Sequence, residues 1–387
     1  MANNILFGRD TRLFMVQGSN IWEIPVLNGF NYTQSLNSSE VALNEMTDAN
    51  GNSRRGRTQF NDSQAPAEWS FDTYVRPTLL NPGASQKHTA VEAPLWANFV
   101  AKNAYAAGAW LANTVNPIST TSLDIKFDNS NKTELGTFDL VFVNGASPTA
   151  TTFNPAAGTN TATTAYGVKM YRLYDASINE VSITFDIDGI ATLSWSGNAA
   201  RLREYNTTLV ATSMITDGIN QTNNFIRNRL TQATVIRKTT GTDKTYNITL
   251  TGGTITFTNN LSYLTPELLG RVNVPLGHVT GTRAVGGSFT CYVDPTALGS
   301  GELFADLSSD QTSIKQIFDL TFYVGGASGT ADVPRAPGMV FSFPRANLSI
   351  PTFDTGDVIS LNVDFTALPS DMGTPDEVDL IRYVGVA

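Results

Sequence analysis

Residues 68–77 read EWSFDTYVRP, and residues 287–295 read GSFTCYVDP. Aligned, both carry Ser-Phe-x-x-Tyr-Val-x-Pro, from Ser70 to Pro77 and from Ser288 to Pro295, at an offset of 218. β-rich chains reuse these residue types, so one match decides little. What decides is whether further matches follow in the same order.

They do. Leu95-Trp96-Ala97 matches Leu303-Phe304-Ala305 at an offset of 208. Phe138-Asp139-Leu140 matches Phe318-Asp319-Leu320 at 180, and Thr184-Phe185-Asp186 matches Thr352-Phe353-Asp354 at 168. Ile190, Leu193 and Trp195 then pair with Val358, Leu361 and Val363. The blocks are collinear and the offset falls steadily, as it does when the second copy of a duplicated unit has shorter loops. A period this long predicts two related domains, residues 1–205 and 206–387, rather than a solenoid of small repeats.

Each unit follows one plan. Strand-like runs (21–27 and 271–276) precede the Ser-Phe-x-x-Tyr-Val strand, which ends at a proline that cannot donate to a ladder. A helix follows, expected over 92–110 from Leu95, Trp96, Phe99 and Val100 and over about 301–309 in the second unit. The closing strands alternate: Val181, Ile183, Phe185 and Ile187 face one way, and Ser182, Thr184, Asp186 and Asp188 the other. Ile359, Leu361, Val363 and Phe365 alternate likewise with Ser360, Asn362, Asp364 and Thr366. One dry and one wet face is the pattern of an antiparallel sheet packed on one side. The predicted fold is mainly β: two tandem β-sandwich or barrel domains, each with a flanking α-helix.

The first unit carries about 32 extra residues, because Pro25 to Ser70 spans 45 positions and Pro275 to Ser288 only 13. This polar stretch, read as a long inserted loop near 43–68, is basic at Arg54, Arg55 and Arg57. Loops of that length are usually functional or disordered. A second elaboration, 205–265, is expected to hold a hairpin over 246–260 turning at Gly252-Gly253.

Composition agrees with a β fold. Only 15% of the 387 residues are charged, well under the usual quarter, so Thr, Asn, Ser and Gly must supply the polar surface. The net charge of −9 is concentrated in 265–387, with 14 acidic against 6 basic residues. Such a surface should repel nucleic acid. The lone Cys291 permits no intramolecular disulfide and reads as a buried thiol. Neither a signal peptide nor an apolar run of about 18 residues is evident, so a soluble protein made in a reducing cytoplasm is expected.

Catalytic chemistry is sparse. His88 and His278 lack neighbouring metal-ligand partners and read as surface or loop residues. No nucleophile elbow, phosphate loop or dinucleotide fingerprint occurs. Asp186-Ile187-Asp188-Gly189 opens like a calcium loop, but Gly197 stands where the closing Glu belongs. Asp175, Asp186 and Asp188 read as solvated strand carboxylates rather than a hydrolytic pair. No catalytic, metal or cofactor residue is expected, and no enzyme.

Residues 6–46, 65–77, 168–197 and the ending 357–385 together resemble tail tube proteins of tailed bacteriophages. The likeness is one of diffuse strand patterns spanning most of the chain. It implies sandwiches with a side helix, assembled into rings that stack into a hollow tube through which DNA passes without specific binding. It implies a virion tail location, synthesis in the host bacterial cytoplasm and no membrane partner. The partners implied are further copies of this chain and other tail proteins: tail terminator, tape measure, baseplate or sheath. Two fused units predict a homotrimeric, pseudo-hexameric ring, with a homohexamer as the alternative. The loop at Arg54, Arg55 and Arg57 is the expected inter-ring contact; Asp186, Asp188 and Asp364 are candidates for the lumen wall. Competing readings are a tail terminator, baseplate or capsid decoration protein, or a carbohydrate-binding or adhesin module.

Overall fold

The computed structural model describes residues 5–42, 49–52, 57–80, 87–101, 105–106, 109–110, 115–118, 122–127, 135–146, 150–155, 159–160, 167–210, 214–215, 225–239, 241–264, 275, 277–309, 317–326, 337–374 and 376–384. The first half is built from β1 (Thr11–Gln17), β2 (Asn20–Ile24), β3 (Asn31–Thr33), β4 (Leu36–Ala42), β5 (Arg57–Gln64), β6 (Ala67–Tyr74), α1 (Ala93–Val100), β7 (Ser122–Ile125), β8 (Phe138–Asn144), β9 (Lys169–Asp186), β10 (Thr192–Ala199) and β11 (Arg201–Glu204). The second half follows with β12 (Gln232–Arg237), β13 (Lys244–Tyr246), β14 (Leu250–Thr258), β15 (Ala284–Tyr292), α2 (Ser300–Ser308), β16 (Phe318–Gly325), β17 (Gly338–Leu348), β18 (Thr352–Thr355), β19 (Ile359–Ala367) and β20 (Leu380–Val384). The expected mainly-β fold is present, with large antiparallel sheets packed as a sandwich.

One layer is a continuous antiparallel run of eight strands in the order β3–β6–β10–β9–β14–β15–β19–β18. The other layer has two parts, β2–β1–β8–β9–β11 and β13–β12–β16–β17–β20. β9 is long enough to serve both layers; it bends at an irregularity between Ile178 and Glu180 and continues from one sheet into the other. In the second half the same path is cut into β17 and β18 around Pro351, which has no N–H for a ladder.

Several of the matched residues sit at equivalent ladder positions. Trp195 lies opposite Phe71, and Val363 lies opposite Phe289, which preserves the offsets of 168 and 218 on the two strands. Leu140 pairs with Leu173 and Phe138 with Ala176, with a register shift at Asp139. Leu320 pairs with Phe343 and Phe318 with Ala346, with the same shift at Asp319. The Thr-Phe-Asp match needs correction by two residues. Thr184 faces Thr192 but Asp354 faces Ser360, so the structural counterpart of Thr184 is Asp354 rather than Thr352. A slip of two leaves each side chain on its original face, which is why the letters could mislead.

Three other expectations change. The helix expected over 92–110 ends at Val100; Ala101 turns extended and its carbonyl accepts the Gly136 N–H. All eight residues of α1 are buried, and Trp96 packs on Trp195 of its own half and Phe257 of the other. Gly252-Gly253 makes no turn, because β14 runs straight through both. A Cβ on Gly253 would meet the Ser288 carbonyl at 2.7 Å and the Phe185 ring at 2.8 Å, so close approach of three strands is what requires glycine there. Within 43–68, residues 57–64 are strand: β5 pairs with β4, which precedes that stretch, and among the described strands the two form an arm paired only with each other.

Candidate functional site

Period-two alternation puts the aromatic and aliphatic residues of the eight-stranded sheet against the second layer and leaves its other face polar. Register makes that face continuous across both halves. One row runs Asp72, Ser194, Ser182, Thr256, Gly286, Thr366. The next runs Tyr74, Thr192, Thr184, Thr254, Ser288, Asp364. Glu68, Asp72, Glu180, Asp186, Asp354 and Asp364 all lie on this face, and its strand positions carry no Lys or Arg. Hydroxyl pairs fill the spaces between the acids, such as Thr184 and Thr254 with their oxygens 3.4 Å apart. The face is an acid-and-hydroxyl surface without a cation.

Asp186 and Asp364 therefore lie on one polar sheet face. Asp188 does not share the strand: β9 ends at Asp186, and Asp188 sits in the following turn beside Gly189, whose φ is +108°. Its carboxylate pairs loosely with Arg229 at 3.7 Å, both groups being largely in solvent.

The sheet has two open ends. β3 is paired on one side with β6, and β18 on one side with β19; among the described strands neither has a second neighbour. Large apolar side chains crowd the β18 end, with Phe353 51% exposed and Ile350, Val358 and Ile359 also in solvent. Unpaired edges are ordinarily kept short, charged or covered. Both edge strands are short, but the β18 end leaves large apolar side chains in solvent.

The arm of β4 and β5 forms a third surface. Leu36, Val41 and Phe60 are exposed along it. Arg57 pairs with Glu40 across the arm at 3.0 Å, while Arg54 and Arg55 lie outside the described residues. An isolated two-stranded ribbon is marginal in water, so exposed apolar groups on one favour a covering partner.

The remaining chemistry is internal. Cys291 is buried and its thiol is pushed up to about 11 by burial, so it stays protonated. His278 ties the halves together: its Nε2 accepts the Leu135 N–H at 3.2 Å and its Nδ1 lies 3.2 Å from the Ser177 hydroxyl. Nothing in the local sequence hints at this, because both partners come from the other half. The side chain of His88 lies outside the described residues. Among the described residues no three His, Cys, Asp or Glu side chains cluster as metal ligands, and no helix is long and apolar enough to cross a membrane.

No family model matches the chain. A curated relative does: the chain is 29% identical over 385 residues to "Tail tube protein pb6" of Escherichia phage T5, covering 95% of this chain and 74% of the relative. The resemblance read from strand patterns is borne out by this relative.

Proposed function

We propose that this chain, a relative of a phage tail tube protein, is the major structural subunit of a tail tube, acting by self-assembly and not by catalysis. The observation that carries the reading is the eight-stranded sheet with an acid-and-hydroxyl face, no cation on that face and two unpaired ends. Closed on itself through copies, such a sheet becomes a barrel without edges.

The halves act as two copies of one domain, residues 1–205 and 206–387. Support comes from the shared registers, including the shift at Asp139 and at Asp319. Three chains then give a pseudo-sixfold ring. Eight strands from each of three chains make twenty-four, and strands about 4.8 Å apart give a girth of about 115 Å before tilt widens it. The resulting channel is wider than a DNA duplex.

The bulkier second layer, with its extra sheets and helices, takes the outer radius, which turns the acidic face inward. Asp186 and Asp364 then belong to the channel wall, with Glu68, Asp72, Glu180 and Asp354. Repulsion between this wall and phosphates acts over about 8 Å at physiological salt. DNA passes without being held. The β4–β5 arm, with Arg57 on its flank, reaches a neighbouring ring, a contact to which Arg54 and Arg55 are also assigned. The assembly is part of the virion tail, where other tail proteins cap and fill it.

Imaging of the purified protein tests the reading. Hollow tubes of stacked rings with three chains each are the expected result. Compact monomers at all concentrations would overturn the tube, and six chains per ring would overturn the trimer.

A further inference from the structure

We propose that the ring closes through an antiparallel strand joint between β18 of one chain and β3 of the next, in the register that β9 and β14 already adopt inside each chain. The proposal rests on the tube reading above and adds which edges meet and residue by residue how.

The internal joint supplies the register. Where the two halves meet, Ile183 faces Ile255, Thr184 faces Thr254 and Phe185 faces Gly253. Each of these strands has a counterpart at an open end. Thr254 lies opposite Ser288 and Asn31 lies opposite Ser70, the two serines of the shared Ser-Phe-x-x-Tyr-Val pattern, so β3 is the counterpart of β14. Asp354 is the counterpart of Thr184 through their partners Ser360 and Thr192, so β18 is the counterpart of the end of β9. Repeating the joint between chains sets Phe353 against Tyr32, Asp354 against Asn31 and Thr355 against Phe30.

Three observations fit this pairing. First, burial is missing where the joint is missing. Ile183 is fully buried, whereas its counterpart Phe353 is 51% exposed. Trp96 is fully buried against Phe257 of the following half, whereas its counterpart Phe304 is half-buried and rests on Phe353 at 4.7 Å. Second, bulk trades sides. The internal joint sets a Phe against a Gly; the external one sets Thr355 against Phe30, so the large residue comes from the other strand. Third, the chemistry of each face agrees. Phe30 and Tyr32 lie on Phe142 at 5.6 and 4.4 Å on the dry side, ready to receive Phe353, while the Asp354 carboxylate and the Asn31 amide meet on the wet side as acceptor and donor. A contact of unlike surfaces like this one generates a closed ring when the rotation closes.

Paired cysteines test the register. In the variant Asn31→Cys with Asp354→Cys, oxidation of assembled tubes is expected to give a non-reducing ladder that ends at three chains. Asn31→Cys with Ile350→Cys, four residues out of register, is expected to stay unlinked. Cys291 is buried and does not compete. Tubes that form but leave the first pair unlinked, or that link the second, would overturn the joint while leaving the tube reading intact. A ladder ending at six chains would uphold the joint and overturn the ring of three. If the unaltered protein forms no tubes, the tube reading itself fails. A second variant, Phe353→Asp, changes a side chain already half in solvent. It is expected to keep the circular dichroism and Tm of the lone subunit and to lose ring formation; tubes at the normal yield from it would overturn the joint.

Discussion

The indole N–H of Trp96 donates to the phenol oxygen of Tyr383 at 2.7 Å, across a sequence separation of 287 residues. Both side chains are fully buried, and both belong to one apolar cluster that includes residues of each half. The two halves of the chain do not keep separate cores. Arg382 adds a bidentate pair to Asp124, at 2.5 and 2.6 Å, where β20 meets β7.

One cooperative unfolding transition is therefore expected. Tyr383→Phe should cost about 1 kcal/mol through the lost hydrogen bond, and Trp96→Ala about 3–5 kcal/mol through the cavity. Urea titrations followed by two probes, one in each half, check this. Two resolved transitions would mean that the halves are independent.

Glu92 predicts a pH dependence. It is almost wholly buried; its Oε1 accepts the Arg76 N–H at 3.1 Å, and its Oε2 accepts no hydrogen bond among the described residues. Burial pushes its carboxyl up to about 8, against the opposing pull of backbone N–H donors and the Arg76 guanidinium. Above about 4.5 the unfolded chain loses a proton that the native chain keeps until about pH 8. Stability should thus fall as pH rises between these values, by up to about 1.4 kcal/mol per pH unit. Glu92→Gln, which can keep the Arg76 bond, should flatten that fall. Urea midpoints at pH 5 and pH 8 decide it; parallel losses in both proteins would assign the slope elsewhere.

Removing residues 38–61 should leave a folded subunit, since among the described strands β4 and β5 pair only with each other. Rings are expected to form and to stop short of tubes. Tubes of ordinary length from this variant would show that the arm is not what joins rings.

Introducing cations on the polar face should change how the channel treats DNA. Thr184→Lys, Ser194→Lys and Thr254→Lys lie in adjacent rows of one face and replace side chains that touch no core. The altered tubes should retain duplex DNA at low salt and release it steeply as salt rises. Retention by the unaltered tubes at the same salt would argue against a repelling wall.

Gly253→Val should cost about 1–3 kcal/mol, because the side chain would press on the Ser288 carbonyl and the Phe185 ring. A thermal melt reads the loss. An unchanged Tm would mean that the strands around the internal joint part more easily than their spacing suggests.

Much of this fold was legible in the sequence because its sheet faces obey a period of two. Val181, Ile183 and Phe185 announced a dry face, and Asp186 and Asp364 a wet one. What escaped depends on neighbours distant in sequence. A glycine doublet in isolation reads as a turn, and only Phe185 and Ser288 show Gly252 and Gly253 to be strand. The β4–β5 arm has no dry face to bury, so no periodicity marks it as strand. Asp188 fits the alternation of β9 by letter, yet the chain turns at Gly189 before its side chain can join the sheet. Glu92 and His278 look ordinary because their surroundings come from elsewhere in the chain.

The long form of the arm occurs once among the described residues, since the ribbon in the corresponding place of the second half, Ser262–Leu264 paired with Gly277–Val279, is shorter. In a ring of three chains it therefore marks every other domain. Rotating such a ring by one domain brings sheet onto equivalent sheet but sets each arm against the wrong half of the chain below. Azimuth along the tube is then fixed by parity: successive rings can differ by turns that carry first halves onto first halves, and not by the intermediate ones. A threefold component docking at either end of the tube would meet one orientation that fits. A sixfold component would meet two unlike kinds of site in alternation, and would have to tolerate both or ignore the arms.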